Sequence, residues 1–206
     1  MTIRFHKRDL PDGLDLGAVV AIDTETLGLE VGRDRLCLVQ LSRGDGTADV
    51  VQIAPGQKRA PNLEKLLADP GVLKLFHFGR FDIAMLCHAF GVMASPVYCT
   101  KIASKIARTY TDRHGLKDLV RELLGVEISK QQQSSDWGAE TLSEAQLAYA
   151  ASDVLHLHAL REKLDAMLAR EGRDGLARAA FAYLPERARL DLAGFAAMDI
   201  FAHAAP

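Results

Sequence analysis

A short apolar run that ends on two acids constrains this chain more than any other feature. Ala18-Val-Val-Ala-Ile22 is continuous and rich in β-branched side chains, the pattern of a buried strand. Asp23-Thr24-Glu25 follows directly, and the strand is expected to end at Asp23. Side chains alternate along a strand, so the two acids emerge on one side of the sheet. An isolated pair of this kind fits two solvated loop acids as well as it fits a site. Its meaning depends on what converges beside it.

The segments that follow alternate between the two regular periodicities. Residues 35–41 and 48–53 read as strands separated by a turn with two glycines, which makes an antiparallel meander with the first strand. Residues 62–69 read as a short helix capped by Asn62, and the apolar stretch 72–76 reads as a strand reached by crossover and lying parallel in the sheet. Apolar spacing predicts a helix over 81–90 closed by Gly91, and further helix from 100 to 124 with an interruption near 110–115. Residues 131–137 form a polar loop. Ser143 with Gln146 is a capping box that opens a long amphipathic helix to about Ala169. Residues 176–206 read as one helix and an irregular tail, and residues 1–16 as a polar lead-in. The expectation is one α/β domain over 1–206, with a mixed central sheet whose first three strands are antiparallel and with helices on both faces.

Composition excludes several classes. A chain of 206 residues, half apolar and a quarter charged, suffices for one well-buried domain. A net charge of −2 argues against a general nucleic-acid coat protein, which must neutralise many phosphates. Cys37, Cys87 and Cys99 are odd in number and lack CxxC spacing, so neither a disulfide framework nor a cysteine zinc site is expected, and a reducing cytoplasm fits. Neither an apolar leader nor a run of about 18 apolar residues occurs, so no membrane partner is expected.

Two further acids give Asp23 and Glu25 company. Asp82 lies at the start of the helix after the second buried strand, where it also fits as a favourable charge at a helix N-terminus. Asp153 lies one turn after Tyr149, so phenol and carboxylate share a face, among Leu147, Ala150, Val154 and Leu157. A carboxylate in apolar surroundings needs a partner. Four carboxylates from three elements can converge on a pair of divalent cations, and an all-oxygen set suits Mg2+ or Mn2+. Two such ions, roughly 3.5–4 Å apart, stabilise the attacking and departing oxygens of phosphodiester hydrolysis.

The set Asp23-Thr-Glu25, Asp82 and Tyr149-Ala-Ala-Ser-Asp153 resembles the three motifs of the DEDD exonuclease superfamily in its tyrosine branch, that of ribonuclease D. The YxxxD spacing, with Ala at 148, separates it from the histidine branch. Arg35-Leu-Cys-Leu-Val-Gln-Leu-Ser42, His77-Phe-Gly-Arg-Phe-Asp82 and Gln133-Ser-Ser-Asp-Trp137 extend the likeness. Ribonuclease D adds helical accessory (HRDC) domains, whereas this chain ends soon after the third motif. Cys99-Thr-Lys-Ile-Ala-Ser-Lys105, Tyr110-Thr-Asp-Arg-His-Gly-Leu116, Gln131-Gln132-Gln133 and Asp199-Ile-Phe-Ala-His203 look like the stand-alone nano-RNase C group.

The resemblance implies a ribonuclease H-like fold and 3′-5′ exoribonuclease activity on very short RNA, above all dinucleotides including linear diguanylate, with nucleoside 5′-monophosphates as products. It further implies a homo-octamer. By resemblance, Asp23, Glu25 and Asp153 hold the ion that activates water, Asp23 and Asp82 hold the ion at the leaving oxygen, and Tyr149 orients the water. Leu29 matches a leucine that wedges between terminal bases, and equally fits as a packing residue.

The stretch 101–130 is the most basic of the chain, and Lys105, Arg108, Arg113, His114 and Lys117 are candidates for a terminal 5′ phosphate as well as for a solvated helix face. His77 fits either a substrate contact or a hydrogen-bonded structural role. Trp137 fits a base stack, or an anchor that packs its loop. His156 and His158, two apart on a helix, are not a chelating pair. The apolar tail, from Phe181 to Phe201, packs on its own domain or forms subunit contacts.

Overall fold

The computed structural model describes residues 1–129, 132 and 134–203. Lys130, Gln131, Gln133 and the last three residues lie outside the described residues, and with them parts of the glutamine and basic motifs quoted above.

Six strands form one sheet in the order β1-β4-β3-β2-β5-β6: β1 Thr2–Lys7, β2 Val19–Thr26, β3 Leu36–Ser42, β4 Thr47–Gln52, β5 Leu73–Phe76 and β6 Val97–Cys99. β2, β3 and β4 make the expected antiparallel meander, and β5 lies parallel to β2. The sheet is therefore mixed. β3 is buried at all seven positions. One flank of the strands packs Leu38 and Val50 against Ala150 of the helix α5 Glu144–Leu155 and Leu142 of the loop before it. The alternate residues Val39, Leu41 and Val51, with Ile22, join the larger core with Leu63 and Leu67 of α1 Pro61–Ala68 and Ile83 and Leu86 of α2 Arg80–Phe90. Helices thus cover both faces.

Three strand expectations need correction. β2 runs on to Thr26, so both acids sit within the strand, with a register irregularity after Glu25. β1 was hidden by its charges: Arg4 and His6 point the same way and reach the buried Asp49 of β4, with Arg4 bidentate at 2.8 and 2.6 Å and His6 at 2.7 Å. It pairs parallel with β4, so the first strand in sequence is not part of the meander. β6 is three residues long, too short to show a periodicity.

The helix ends show the same division between local and distant signals. Gly91 closes α2 at φ 71°, and the Ser143–Gln146 capping box opens α5, as their residue types require. Asn62 is not a cap. The carboxylate of Asp9 accepts from the backbone N–H of Asn62 at 2.9 Å and of Leu63 at 3.0 Å, a cap supplied from 53 residues away. After α3 Thr100–Ala107 and α4 Leu116–Leu119, which continues as a π turn to Leu124, the expected long helix divides at His156 into α5 and α6 Leu157–Arg170. Val154, Leu157, Leu160 and Leu164 are buried on both sides of the break, so apolar spacing does not mark it. α7 Asp174–Leu190 leads into turns. Among the described residues no helix is long and apolar enough to cross a membrane.

Candidate active site

The site forms where α5 crosses the end of β2. Asp23 pairs in register with Gln40 and Glu25 with Leu38, and Leu38 packs toward α5, so both acids face that helix. Tyr149 and Asp153 come from α5, one turn apart. Carboxylate oxygens of Asp23, Glu25 and Asp153 all lie within 4.8 Å of one another. Asp82, in the first turn of α2, stands outside that mutual group. Its Oδ1 accepts a 2.6 Å hydrogen bond from Thr24 Oγ1, and both side chains are buried. Thr24 is the unassigned middle residue of the D-x-E triplet, and alternation turns it away from the Asp23–Glu25 side, where it meets α2.

This crowding makes ionisation unfavourable. Burial, then the charges of Asp82, Asp153 and Glu25, hold the Asp23 carboxyl well above the usual range. Burial, then Asp153 and Asp82, push Glu25 up to about 8. Burial raises Asp82 to about 6, against the opposing hydrogen bond from Thr24. Clustered carboxylates that repel one another this strongly need a compensating cation, and an all-oxygen donor set fits a hard divalent ion. Tyr149 is raised as well, by burial first and then by Asp153, Glu25 and Asp23, which favours the protonated phenol.

The other sequence candidates fall into two groups. Leu29 is 85% exposed in the turn after β2 and does not pack. Lys105 and Arg113 are exposed, whereas Lys117 and His114 are half-buried, with His114 Nδ1 2.8 Å from Ser104 Oγ. Arg108 is placed differently from these four: it is 2% exposed and donates to Ser104 Oγ, Tyr110 Oη, the Arg113 carbonyl and Glu122. It ties the 108–115 loop together from inside. His77 Nδ1 lies 2.9 Å from Thr100 Oγ1, which itself donates to the Phe76 carbonyl, so the ring nitrogen is the donor in that pair. Burial, then Lys101, lowers the His77 pKa to about 3, which keeps the ring neutral.

Sequence reasoning passed over three residues beside the candidate positions. Thr24 is one. Gln40 is fully buried as the register partner of Asp23, and both its amide atoms lack a hydrogen-bond partner among the described residues. Phe78, exposed and at φ 65°, carries Lys101 Nζ 4.1 Å from its ring centre beside His77. Gln40 carried a signal, a polar residue inside an apolar strand.

Residues 8–169 match a family model described as 3′-5′ exonuclease. The chain belongs to this 3′-5′ exonuclease family. The matched segment contains Asp23, Glu25, Asp82, Tyr149 and Asp153, so the site described above lies within the exonuclease domain. Among curated relatives of this exonuclease, ribonuclease D of Gluconacetobacter diazotrophicus is 42% identical over 75% of this chain, which spans 39% of that protein. Among solved structures, Brucella melitensis NrnC with bound Mg2+ is 63% identical with a TM-score of 0.96, covering 99% of this chain and 100% of that one. The same protein bound to pGG is 64% identical at the same coverage, with a TM-score of 0.97.

Proposed function

We propose that this exonuclease hydrolyses very short RNA from its 3′ end, above all 5′-phosphorylated dinucleotides such as linear diguanylate, and releases nucleoside 5′-monophosphates. The observation that supports this most is the end-to-end likeness to NrnC, whose structures hold Mg2+ and pGG, combined with the carboxylate group at the end of β2. The reading takes the whole described chain as one exonuclease domain.

Asp23, Glu25 and Asp153 would hold one divalent ion, and Asp23 with Asp82 a second, either Mg2+ or Mn2+. Such ions supply positive charge to the attacking and departing oxygens of the phosphodiester. The chain's own part is positional. Tyr149 donates its hydroxyl toward the attacking water and orients it. Thr24 holds the Asp82 carboxylate in place. Leu29, exposed after β2, would wedge between the two bases. Lys105, Arg113, His114 and Lys117 are the candidates for a 5′ phosphate, with Arg108 as the buried brace behind them and His77 as a neutral substrate contact. The exposed apolar residues Phe195, Met198, Ile200 and Phe201 support a homo-oligomer, read as an octamer. Free Cys37, Cys87 and Cys99 fit a cytoplasmic location.

A second reading, trimming of longer RNA 3′ ends, draws on the ribonuclease D relatives. Product analysis tests the common chemistry. A 5′-phosphorylated dinucleotide incubated with the protein and Mg2+ should yield only nucleoside 5′-monophosphates, and neither Asp23→Ala nor EDTA-treated protein should do so. Nucleoside 3′-phosphates, or turnover undiminished by EDTA, would contradict it.

A further inference from the structure

Trp137 is the sole tryptophan of the chain, and it is 3% exposed although its loop is polar. Its ring packs among Leu38, Val50, Leu142 and Ala150 and lies against Tyr149, with ring centres 5.9 Å apart and planes at 33°. The loop that carries it is fastened on each side. Arg35 Nη2 donates to the Gly138 carbonyl at 3.2 Å, Gln52 Nε2 to the Ala139 carbonyl at 3.0 Å, and Gln146 Nε2 to the Asp136 carbonyl at 3.2 Å. Gly138 sits so close to Leu27 that a Cβ there would meet Leu27 Cδ2 at 2.7 Å. These restraints converge on one indole, whose Nε1 is buried with no hydrogen-bond partner among the described residues.

We infer that Trp137 is a positioning residue for Tyr149, fixing the direction in which the phenol presents its hydroxyl to the carboxylate group. The phenol is a lever with two soft torsions, and α5 restrains only the first. Asp153, Glu25 and Asp23 act electrostatically on the phenol, and Trp137 packs against its ring. The indole bars rotation toward the β3–β4 core, so the hydroxyl is held toward the acids. This inference rests on the role given above to Tyr149.

A double-mutant cycle separates the two. Trp137→Leu keeps apolar volume but loses the aromatic face; it should lower kcat about tenfold, leave KM for a dinucleotide within about twofold, and be largely rescued by Trp137→Phe. In a Tyr149→Phe background, which has no hydroxyl to aim, the same change should cost less than about twofold. Equal losses in both backgrounds overturn the inference and leave Trp137 as a loop anchor. If Tyr149→Phe alone keeps wild-type kcat, the role of Tyr149 falls, and the inference with it. Should Trp137→Leu fail to fold, Tyr149→Ala provides the reading through intrinsic fluorescence: acrylamide quenching of Trp137 should rise, and unchanged quenching contradicts a contact that restrains the ring.

Discussion

Thr24 Oγ1 donates to Asp82 Oδ1 across 2.6 Å, a buried hydrogen bond that joins β2 to the first turn of α2 and holds Asp82 beside, but outside, the three clustered carboxylates. A threonine in the middle of the D-x-E triplet therefore serves the site from the opposite side of the strand. Thr24→Val is nearly isosteric and removes only the donor. It should cost about 1 kcal/mol in chemical unfolding, since the backbone N–H groups of Thr24 and Asp82 still serve the carboxylate. It should also weaken Mg2+ affinity several-fold, measured by calorimetry. Unchanged Mg2+ affinity would detach Thr24 from the site.

The raised carboxyl groups make metal-free stability depend on pH in a defined direction. Glu25 titrates at about 8 and Asp82 at about 6 when folded. Unfolded carboxyls titrate near about 4. The folded state thus binds more protons between these limits, and its stability falls as pH rises from about 4 to about 8. A divalent ion reverses the repulsion. The rise in melting temperature on adding Mg2+ should therefore grow between pH 5.5 and 8.5, by roughly the same linkage. Thermal scans at several pH values with and without Mg2+ test this, and an increment that does not change with pH contradicts it.

Arg108 and Lys105 should part company under mutation. Arg108→Ala removes the donor shared by Glu122, Ser104 and the Arg113 carbonyl, and since Glu122 keeps Arg113 and Arg121 nearby it should lower stability by about 1–3 kcal/mol. Lys105→Ala removes an exposed cation and should change stability by less than about 0.5 kcal/mol. If Lys105 binds the 5′ phosphate, its loss raises KM only for the phosphorylated dinucleotide. Urea titrations beside paired assays with and without the 5′ phosphate make the comparison, and equal loss on both substrates removes Lys105 from that role.

What was legible in the sequence follows from how local each signal is. The apolar run before Asp23, the turn glycines and the Ser143 capping box act within a few residues, and the meander, crossover and α5 appear where they predict. The acids of the site were legible for the same reason, since D-x-E and YxxxD are spacings within a strand and a helix. Asp9 capping α1, Asp49 drawing Arg4 and His6 into a strand, and Trp137 lying on Tyr149 all join distant residues, and no periodicity reports them. Arg108 shows the complementary failure: in a basic stretch it reads as a surface cation, and only its surroundings reveal that it is interior.

The central claim concerns substrate length, and one time course addresses it most directly. Purified protein with Mg2+ is given 5′-labelled RNAs from two to about ten nucleotides, with Asp23→Ala as control, and initial rates are compared by length under kcat/KM conditions. The dinucleotide should be cleaved far faster than every longer RNA. Longer RNAs shortening at least as fast while dinucleotides accumulate would contradict it.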